Sequence, residues 1–174
     1  MSIDMSFRIF VITMGLAVLA SGSPARADLV QLDTFKDWTV YRQDGESGRI
    51  CFISSTPTKL RGEYNRDNRG ETRVFVTHGP GKAERDVVSV KAGYVYKKQS
   101  EVAFSIDGNE TGLFTLEGRA WASGPDVDQS LIKSMKRGNK LVVTGTSSRG
   151  NKTIDEYSLS GFTKAKGQMD KLCP

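Results

Sequence analysis

The stretch that decides the fold reads VAFSIDGNETGLFTL and covers residues 102–116. Apolar and polar side chains alternate on both sides of Asp107-Gly108, which is the spacing of strands with one buried face. An Asp-Gly pair between two such runs favours the tight turn of a β-hairpin, because glycine readily adopts the positive φ angles of that turn. The stretch therefore predicts antiparallel strands at 102–106 and 112–116, joined through 107–110.

Six more runs of β-branched and aromatic residues flank this hairpin, each of strand length and bounded by turn-forming residues. The last two runs predict a second hairpin, with residues 148–152 as its loop. About eight short strands with frequent turns favour an all-β fold, an antiparallel β-sandwich, with a closed barrel as the alternative architecture. The six runs are 38–41, 50–53, 73–78, 87–90, 140–147 and 153–160.

A single short helix is predicted near the C-terminal third, over residues 126–137. Asp126 is the expected N-cap, Gln129 reaches back toward it in a capping box, and Gly138 is the expected left-handed C-cap. Apolar residues at helical spacing form one packed face. They are Val127, Leu131, Ile132 and Met135. The polar segment 54–71 is predicted to cross the surface as a loop.

The N-terminal residues predict a secretory signal peptide. Residues 10–19 are an apolar run, and Ala25-Arg26-Ala27 follows with the small-x-small pattern of a cleavage site. The alternative is a membrane anchor, but the run is much shorter than the roughly 20 apolar residues of a spanning helix. We expect residues 1–27 to be removed, which leaves 28–174 as a single domain without a transmembrane span.

The composition excludes several classes of protein. The chain has one histidine and two cysteines, too few for a zinc cluster rich in these ligands. The formal net charge is +5, but lysines and arginines alternate with acidic residues and form none of the blocks typical of nucleic-acid binding. We therefore expect no metal, no cofactor and no nucleic-acid partner.

The two cysteines, Cys51 and Cys173, are expected to form a disulfide, because an exported protein matures in an oxidising compartment. The alternative is a redox-active or metal-binding thiol pair, which the lack of C-x-x-C spacing disfavours. Cys173 is the penultimate residue of the chain. The bond therefore predicts a link between the C-terminus and an early strand.

Three groups of side chains are candidate catalysts. His78 is the only imidazole base, and its position at a strand end without a G-x-S-x-G elbow favours a capping or surface role. Asp126 and Asp128 resemble a pair of catalytic carboxylates, but the first turn of a helix already explains them. Asp107 and Glu110 fit a tight turn. The sequence therefore predicts no catalytic residues.

Two segments can present positive charge to an anionic surface. One places Lys97 and Lys98 directly after the aromatic residues of 94–96, and the other contains Arg149 and Lys152. The competing interpretation is protection of edge strands, where lysine discourages association with another strand. These four cations are the candidate binding residues.

Eight features follow one another in a distinctive order along the chain: DWTV (37–40), ICF (50–52), FVTH (75–78), IDG (106–108), AW (120–121), the helix ending at Met135, GTSSRGNKT (145–153) and DEYSLSGFTKA (155–165). In this order they resemble the invasion-associated locus B family of exported alphaproteobacterial proteins. The resemblance implies an immunoglobulin-like β-sandwich, a periplasmic or outer-envelope location and no known enzymatic activity. Founding members of the family are associated with bacterial entry into host erythrocytes.

Three hypotheses of function follow. The first is an exported, non-catalytic envelope protein that acts through contacts with a protein, an envelope component or a host surface. Its expected location is the periplasm, with outer-membrane association or secretion as alternatives. The second is a periplasmic hydrolase that uses carboxylates or His78. The third is a binding module for an anionic glycan or lipid, whose affinity falls with salt.

Overall fold

The computed structural model describes residues 28–81 and 84–174, so the expected leader lies outside the described residues. Eleven strands and two helices occur within these ranges, and neither helix is long and apolar enough to cross a membrane. The strands are β1 Leu29–Phe35, β2 Trp38–Gly45, β3 Gly48–Ser55, β4 Lys59–Arg61, β5 Arg73–His78, β6 Val87–Lys91, β7 Glu101–Ile106, β8 Asn109–Leu116, β9 Arg119–Trp121, β10 Lys140–Thr146 and β11 Lys152–Ser158. The helices are α1 Pro125–Arg137 and α2 Phe162–Leu172.

All the strands belong to one antiparallel sheet in the order β1-β2-β3-β5-β6-β9-β8-β7-β10-β11-β4, so β1 and β4 are its edges. Elements that are distant in this order are joined by hydrogen bonds. The Trp38 indole on β2 donates to the Ser158 carbonyl on β11 at 3.0 Å, and the Thr72 and Tyr157 hydroxyls lie 3.1 Å apart. Side chains from both ends of the sheet share one hydrophobic core. The all-β, sandwich-like fold is thus confirmed.

Both predicted hairpins are present. In the first, Ile106 pairs with Asn109 across a two-residue turn, and both Asp107 and Gly108 have positive φ, at 47° and 93°. Positive φ at both central positions is the type I′ turn that Asp-Gly favours. In the second, β10 and β11 pair along their whole lengths. Each of the eight predicted strands is found, whereas β1, β4 and β9 were not predicted.

The predicted helix is confirmed as α1 and Gly138 is its C-cap, but the predicted N-cap Asp126 and the predicted left-handed conformation of Gly138 are wrong. Gly124 is the N-cap and Pro125 opens the helix, because proline needs no amide partner in a first turn. Gly138 is extended, with φ of −80°. Asp128, one turn into the helix, accepts a hydrogen bond from the Val88 amide on β6 at 2.8 Å. The first turn of α1 is therefore fastened to the sheet by a side chain.

The prediction of a single helix is wrong, because α2 follows β11. Its buried face packs on β1, β2 and β3, and the Phe162 ring meets the Trp38 ring edge-on with centroids 4.9 Å apart. The apolar residues have helical spacing. They are Phe162, Ala165, Met169 and Leu172. Lysines and a central glycine between these positions obscure the pattern in the sequence.

A disulfide joins Cys51 on β3 to Cys173, directly after α2, with the two Cα atoms 6.1 Å apart. The linked residues are 122 positions apart in the sequence. In the chain-entropy account, closing so long a segment stabilises the folded state by roughly 4–5 kcal/mol. The bond holds the C-terminal end of α2 against the sheet.

Candidate functional site

The structure brings the two predicted cationic segments together. Tyr96 and Ser147 form an isolated antiparallel bridge between them. The Lys97 amide donates to the Thr146 carbonyl at 2.9 Å, and the Ser148 amide donates to the Val95 carbonyl at 2.8 Å. The sequence offered no sign of this pairing, because about 50 residues separate the two segments and neither belongs to the other's hairpin.

A polar cleft of about 700 Å³ lies beside this bridge. Its walls come from residues 64–69, 93–95 and 147–153, and two tyrosines, Tyr64 and Tyr94, contribute aromatic surface. The tyrosine cleft, as we name it, has a volume typical of small-ligand sites. Its first wall lies in the segment predicted to be a simple surface loop, which actually contains β4 and a short 3-10 turn.

Arg69 is the buried charge behind the cleft. Its guanidinium donates two hydrogen bonds to the Asp155 carboxylate, at 2.8 and 2.5 Å, and both side chains are at most 5% exposed. Burial alone lowers the pKa of Arg69, but the hydrogen bonds and charge of Asp155 outweigh it and raise that pKa overall. Arg69 therefore keeps its positive charge, and the Asp155 carboxylate is its ion-pair partner.

The Arg69 guanidinium also organises the two tyrosines. It lies 5.2 Å from the Tyr64 ring centroid and 5.1 Å from that of Tyr94, within cation-π distance of both. It donates to the Tyr64 hydroxyl at 2.8 Å, and the Tyr94 hydroxyl lies 2.6 Å from that of Thr153. Burial is the main cause that raises the pKa of Tyr94, so this residue remains a neutral phenol. These contacts hold the two rings in place.

Several side chains of the cleft retain hydrogen-bonding capacity. Within the described residues, four of them form no hydrogen bond or ion pair through their side chains and are exposed. They are Asn68, Ser148, Arg149 and Asn151. Among the predicted cations, Arg149 lines the cleft, Lys152 begins β11 opposite Thr146, and Lys97 and Lys98 extend from the bridge. The arrangement is suited to holding a polar ligand.

His78 is fully buried, so a surface role is wrong, whereas its hydrogen bond with a backbone amide beyond the end of β5 agrees with the capping alternative. Strand alternation explains the burial, because His78 shares the inward face of β5 with Val74 and Val76. Its Nδ1 accepts from the Asp86 amide at 3.0 Å, which assigns the proton of the neutral ring to Nε2, 2.9 Å from an Asp170 oxygen. The ring connects β5 to the following loop and to α2.

A network of charges surrounds His78. His78, Asp86 and Asp170 offer potential metal ligands within 4.8 Å of one another, but the buried Lys166 ammonium lies 2.8 Å from Asp86 and 2.5 Å from Asp170. Arg85 adds a second cation, donating to the Cys173 carbonyl at 3.0 Å. The Lys166 ammonium thus already pairs with both carboxylates. The His78 network, as we name this group, links α2 and the disulfide to the sheet.

Comparison with known proteins identifies the family. A profile described as Invasion associated locus B (IalB) protein matches residues 38–170, from the start of β2 to near the end of α2. The chain belongs to the IalB family. No curated protein and no solved structure matches it. Membership points to an invasion-associated protein of the cell envelope.

The other candidate catalytic carboxylates of this IalB protein lie in the turn of the first hairpin and in the first turn of α1. Asp107 accepts hydrogen bonds from the Asn139 and Lys140 amides, at 2.9 and 3.0 Å, and so joins the first hairpin to the start of β10. Asp128 is buried against β6, and burial is the main cause that raises its pKa. Asp126 is exposed in the first turn of α1. The pair Asp126 and Asp128 therefore face different surroundings.

Proposed function

We propose that this IalB protein is an exported, non-catalytic component of the cell envelope that acts through contacts with another macromolecule. The buried Cys51–Cys173 disulfide carries the proposal, because such bonds persist in oxidising compartments outside the cytosol. The leader pattern in residues 1–27 and the family match agree with it. The proposed location is the periplasm, with attachment to the outer membrane or secretion as alternatives.

A test of export compares the full chain with a form that lacks residues 2–27. We expect osmotic shock to release the full chain, beginning at Asp28 after removal of the leader, while the shortened form stays in the cytosol. N-terminal sequencing of the released protein identifies the cleavage site. Retention of the full chain in the cytosol with its leader intact contradicts the proposal.

The non-catalytic part of the proposal rests on how the candidate catalysts are used. His78 is committed to backbone and carboxylate contacts inside the protein, and Asp107 and Asp128 fasten backbone amides. We expect the purified protein to show no hydrolysis of esters, peptides, glycosides or phosphates beyond that of a mock preparation. Asp126 is exposed, so its replacement is expected to leave the fold intact, and turnover that disappears in an Asp126→Asn variant supports the hydrolase hypothesis instead.

A second candidate function, anion binding, is favoured by the bridge between Tyr96 and Ser147. We propose that Lys97, Lys98, Arg149 and Lys152 form one anion-binding surface at the side of the tyrosine cleft. Binding to anionic vesicles or heparin is expected to weaken steeply with salt, since exposed charges are screened. Replacing all four by glutamine removes the binding, whereas replacing Lys133, Lys136 and Arg137 of α1 leaves it unchanged. Equal losses in the two variants contradict a defined surface.

A further inference from the structure

The tyrosine cleft combines ring faces, amides, hydroxyls and one unpaired cation. We infer that it binds an acidic saccharide, with Arg149 pairing with a carboxylate of the sugar. This inference deepens the anion-binding proposal and rests on it. It adds the class of ligand and the residues that distinguish a sugar from any other anion.

The lining matches sugar hydroxyl groups. A hydroxyl both donates and accepts hydrogen bonds, and side-chain amides and hydroxyls do the same. Asn68, Asn151 and Ser148 are exposed in the cleft and make no side-chain hydrogen bond within the described part of the chain. They come from two separate segments of the chain, because Asn68 precedes β5 and the other two belong to the loop between β10 and β11.

The aromatic walls are organised in advance. Arg69 fixes Tyr64 through a hydrogen bond, contacts the rings of both tyrosines, and is itself locked by Asp155. Thr153 fixes the Tyr94 hydroxyl. Rings held in place lose little side-chain entropy on binding, and their apolar surface packs against the C–H groups of a sugar ring.

The charge of the cleft fits one carboxylate better than a dense polyanion. Arg69 is neutralised by Asp155, which leaves Arg149 as the uncompensated cation among the described lining residues. A guanidinium binds a carboxylate through two parallel hydrogen bonds, which gives orientation as well as affinity. The lysines beyond the bridge extend this positive charge along a longer chain of acidic sugars.

Two other anionic ligands fit the lining less well. An acyl chain needs continuous apolar walls, and Val95 is the aliphatic residue that the described cleft contributes. Free phosphate uses the cation but leaves the amides and the aromatic rings without partners. Both remain distinguishable outcomes of the same experiment.

The experiment measures binding to the disulfide-bonded exported protein by calorimetry and by chemical shift perturbation. The probes are tetragalacturonate and a hyaluronan tetrasaccharide, with methyl-esterified tetragalacturonate and inorganic phosphate as comparisons. We expect saturable binding of at least one acidic probe, shifts confined to the tyrosine cleft, and at least roughly tenfold weaker binding of the ester. Arg149→Gln and Tyr64→Ala each weaken binding roughly tenfold, whereas Arg137→Gln on α1 has no effect.

Four results overturn the inference. They are no binding of either acidic probe, equal binding of the acid and its ester, phosphate binding as tight as that of the sugars, and an unchanged affinity in Tyr64→Ala. Circular dichroism and thermal unfolding confirm that each variant is folded before its affinity is compared. Export and vesicle binding are measured separately, so their failure is distinguishable from a failure of sugar recognition.

Discussion

Arg69 and Asp155 are expected to be strongly coupled because they are buried together. Asp155→Leu leaves the guanidinium charge buried without a carboxylate, and we expect a loss of about 3–5 kcal/mol in the free energy of unfolding. The double variant Arg69→Met/Asp155→Leu removes both charges and should recover more than half of that loss. Urea unfolding with the disulfide intact measures all the variants, including Arg69→Met. Additive losses across the cycle contradict the coupling.

Asp170 is expected to contribute to the dependence of stability on pH. Burial opposes its ionisation, but hydrogen bonds from Lys166 and His78 outweigh burial and hold its pKa below the usual value. Because the pKa of Asp170 is lower in the folded than in the unfolded protein, its ionised form stabilises the fold. This stabilisation is fully present above the pKa of the unfolded state, about 3.9, and is lost as the pH falls through the pKa of the folded state.

We therefore expect Asp170→Asn to lower stability by about 1 kcal/mol at neutral pH, a modest figure because the side chain is 38% exposed. The same variant should show a shallower loss of stability than the natural protein when the pH falls below about 4. Urea midpoints measured across this range test both statements, with the exposed Glu110→Gln as control. Parallel acid profiles for Asp170→Asn and the natural protein exclude the assigned role.

A sequence pattern predicts the burial of a single residue only where the periodicity of the element shows which way its side chain points. His78 was open to prediction as buried, because Val74, Val76 and His78 alternate along one strand. Arg69 was not, since its partner Asp155 lies 86 positions away and the surrounding segment is polar. The tyrosine cleft could not be predicted for the same reason. Its walls meet through pairings distant in sequence, which no local pattern reports.

Two glycines, one just before α2 and one within it, allow matched variants that test how α2 packs. Gly161 precedes the helix with φ of +93°, and a Cβ there would collide with the Phe35 carbonyl on β1. Gly167 lies within the helix, where an added Cβ meets open space. Thermal unfolding should show that Gly161→Ala destabilises by about 2 kcal/mol or more, while Gly167→Ala stabilises by about 0.5–1 kcal/mol. Equal effects of the two variants contradict the proposed packing of α2 on β1.

Elements with a strong periodic pattern were predictable, and weakly patterned ones were not. The Asp107-Gly108 hairpin and α1 both follow from local residues. The cap at α1 failed because Pro125 starts the helix earlier than Asp126 suggests. The strands β4 and β9 have three residues each, and their pairing with β11 and with β6 and β8 is set by the whole sheet. Whether such short strands form depends on tertiary contacts.

At the scale of the molecule, the disulfide fastens the last helix to the sheet. Reduction restores the entropy of a segment of 122 residues to the unfolded chain, and we expect a loss of roughly 4–5 kcal/mol in the free energy of unfolding. Hydrogen exchange should rise first in α2, because the His78 network and the core contacts of Phe162 then hold it alone. A Cys51→Ser/Cys173→Ser variant serves as the control. Unchanged stability and unchanged exchange on reduction contradict this role.

The fold class and the cysteine pair are whole-molecule features that the sequence supports directly. Strand-length runs between turn residues predict an all-β chain, and two cysteines allow one pairing. The order of strands in the sheet does not follow from the sequence in this way. In that order, β9 lies between β6 and β8, and β4 lies at the edge next to β11. Such pairings depend on which apolar faces close the core together, and a one-dimensional pattern does not encode that choice.

The most direct test of an exported, disulfide-closed protein is mass spectrometry on the native molecule. Cells are treated with a thiol-alkylating reagent before lysis, and the unreduced protein is digested and mapped. We expect a single crosslinked peptide pair containing Cys51 and Cys173, together with an N-terminus at Asp28. Alkylated Cys51 and Cys173 in a chain that still carries residues 1–27 would contradict this expectation.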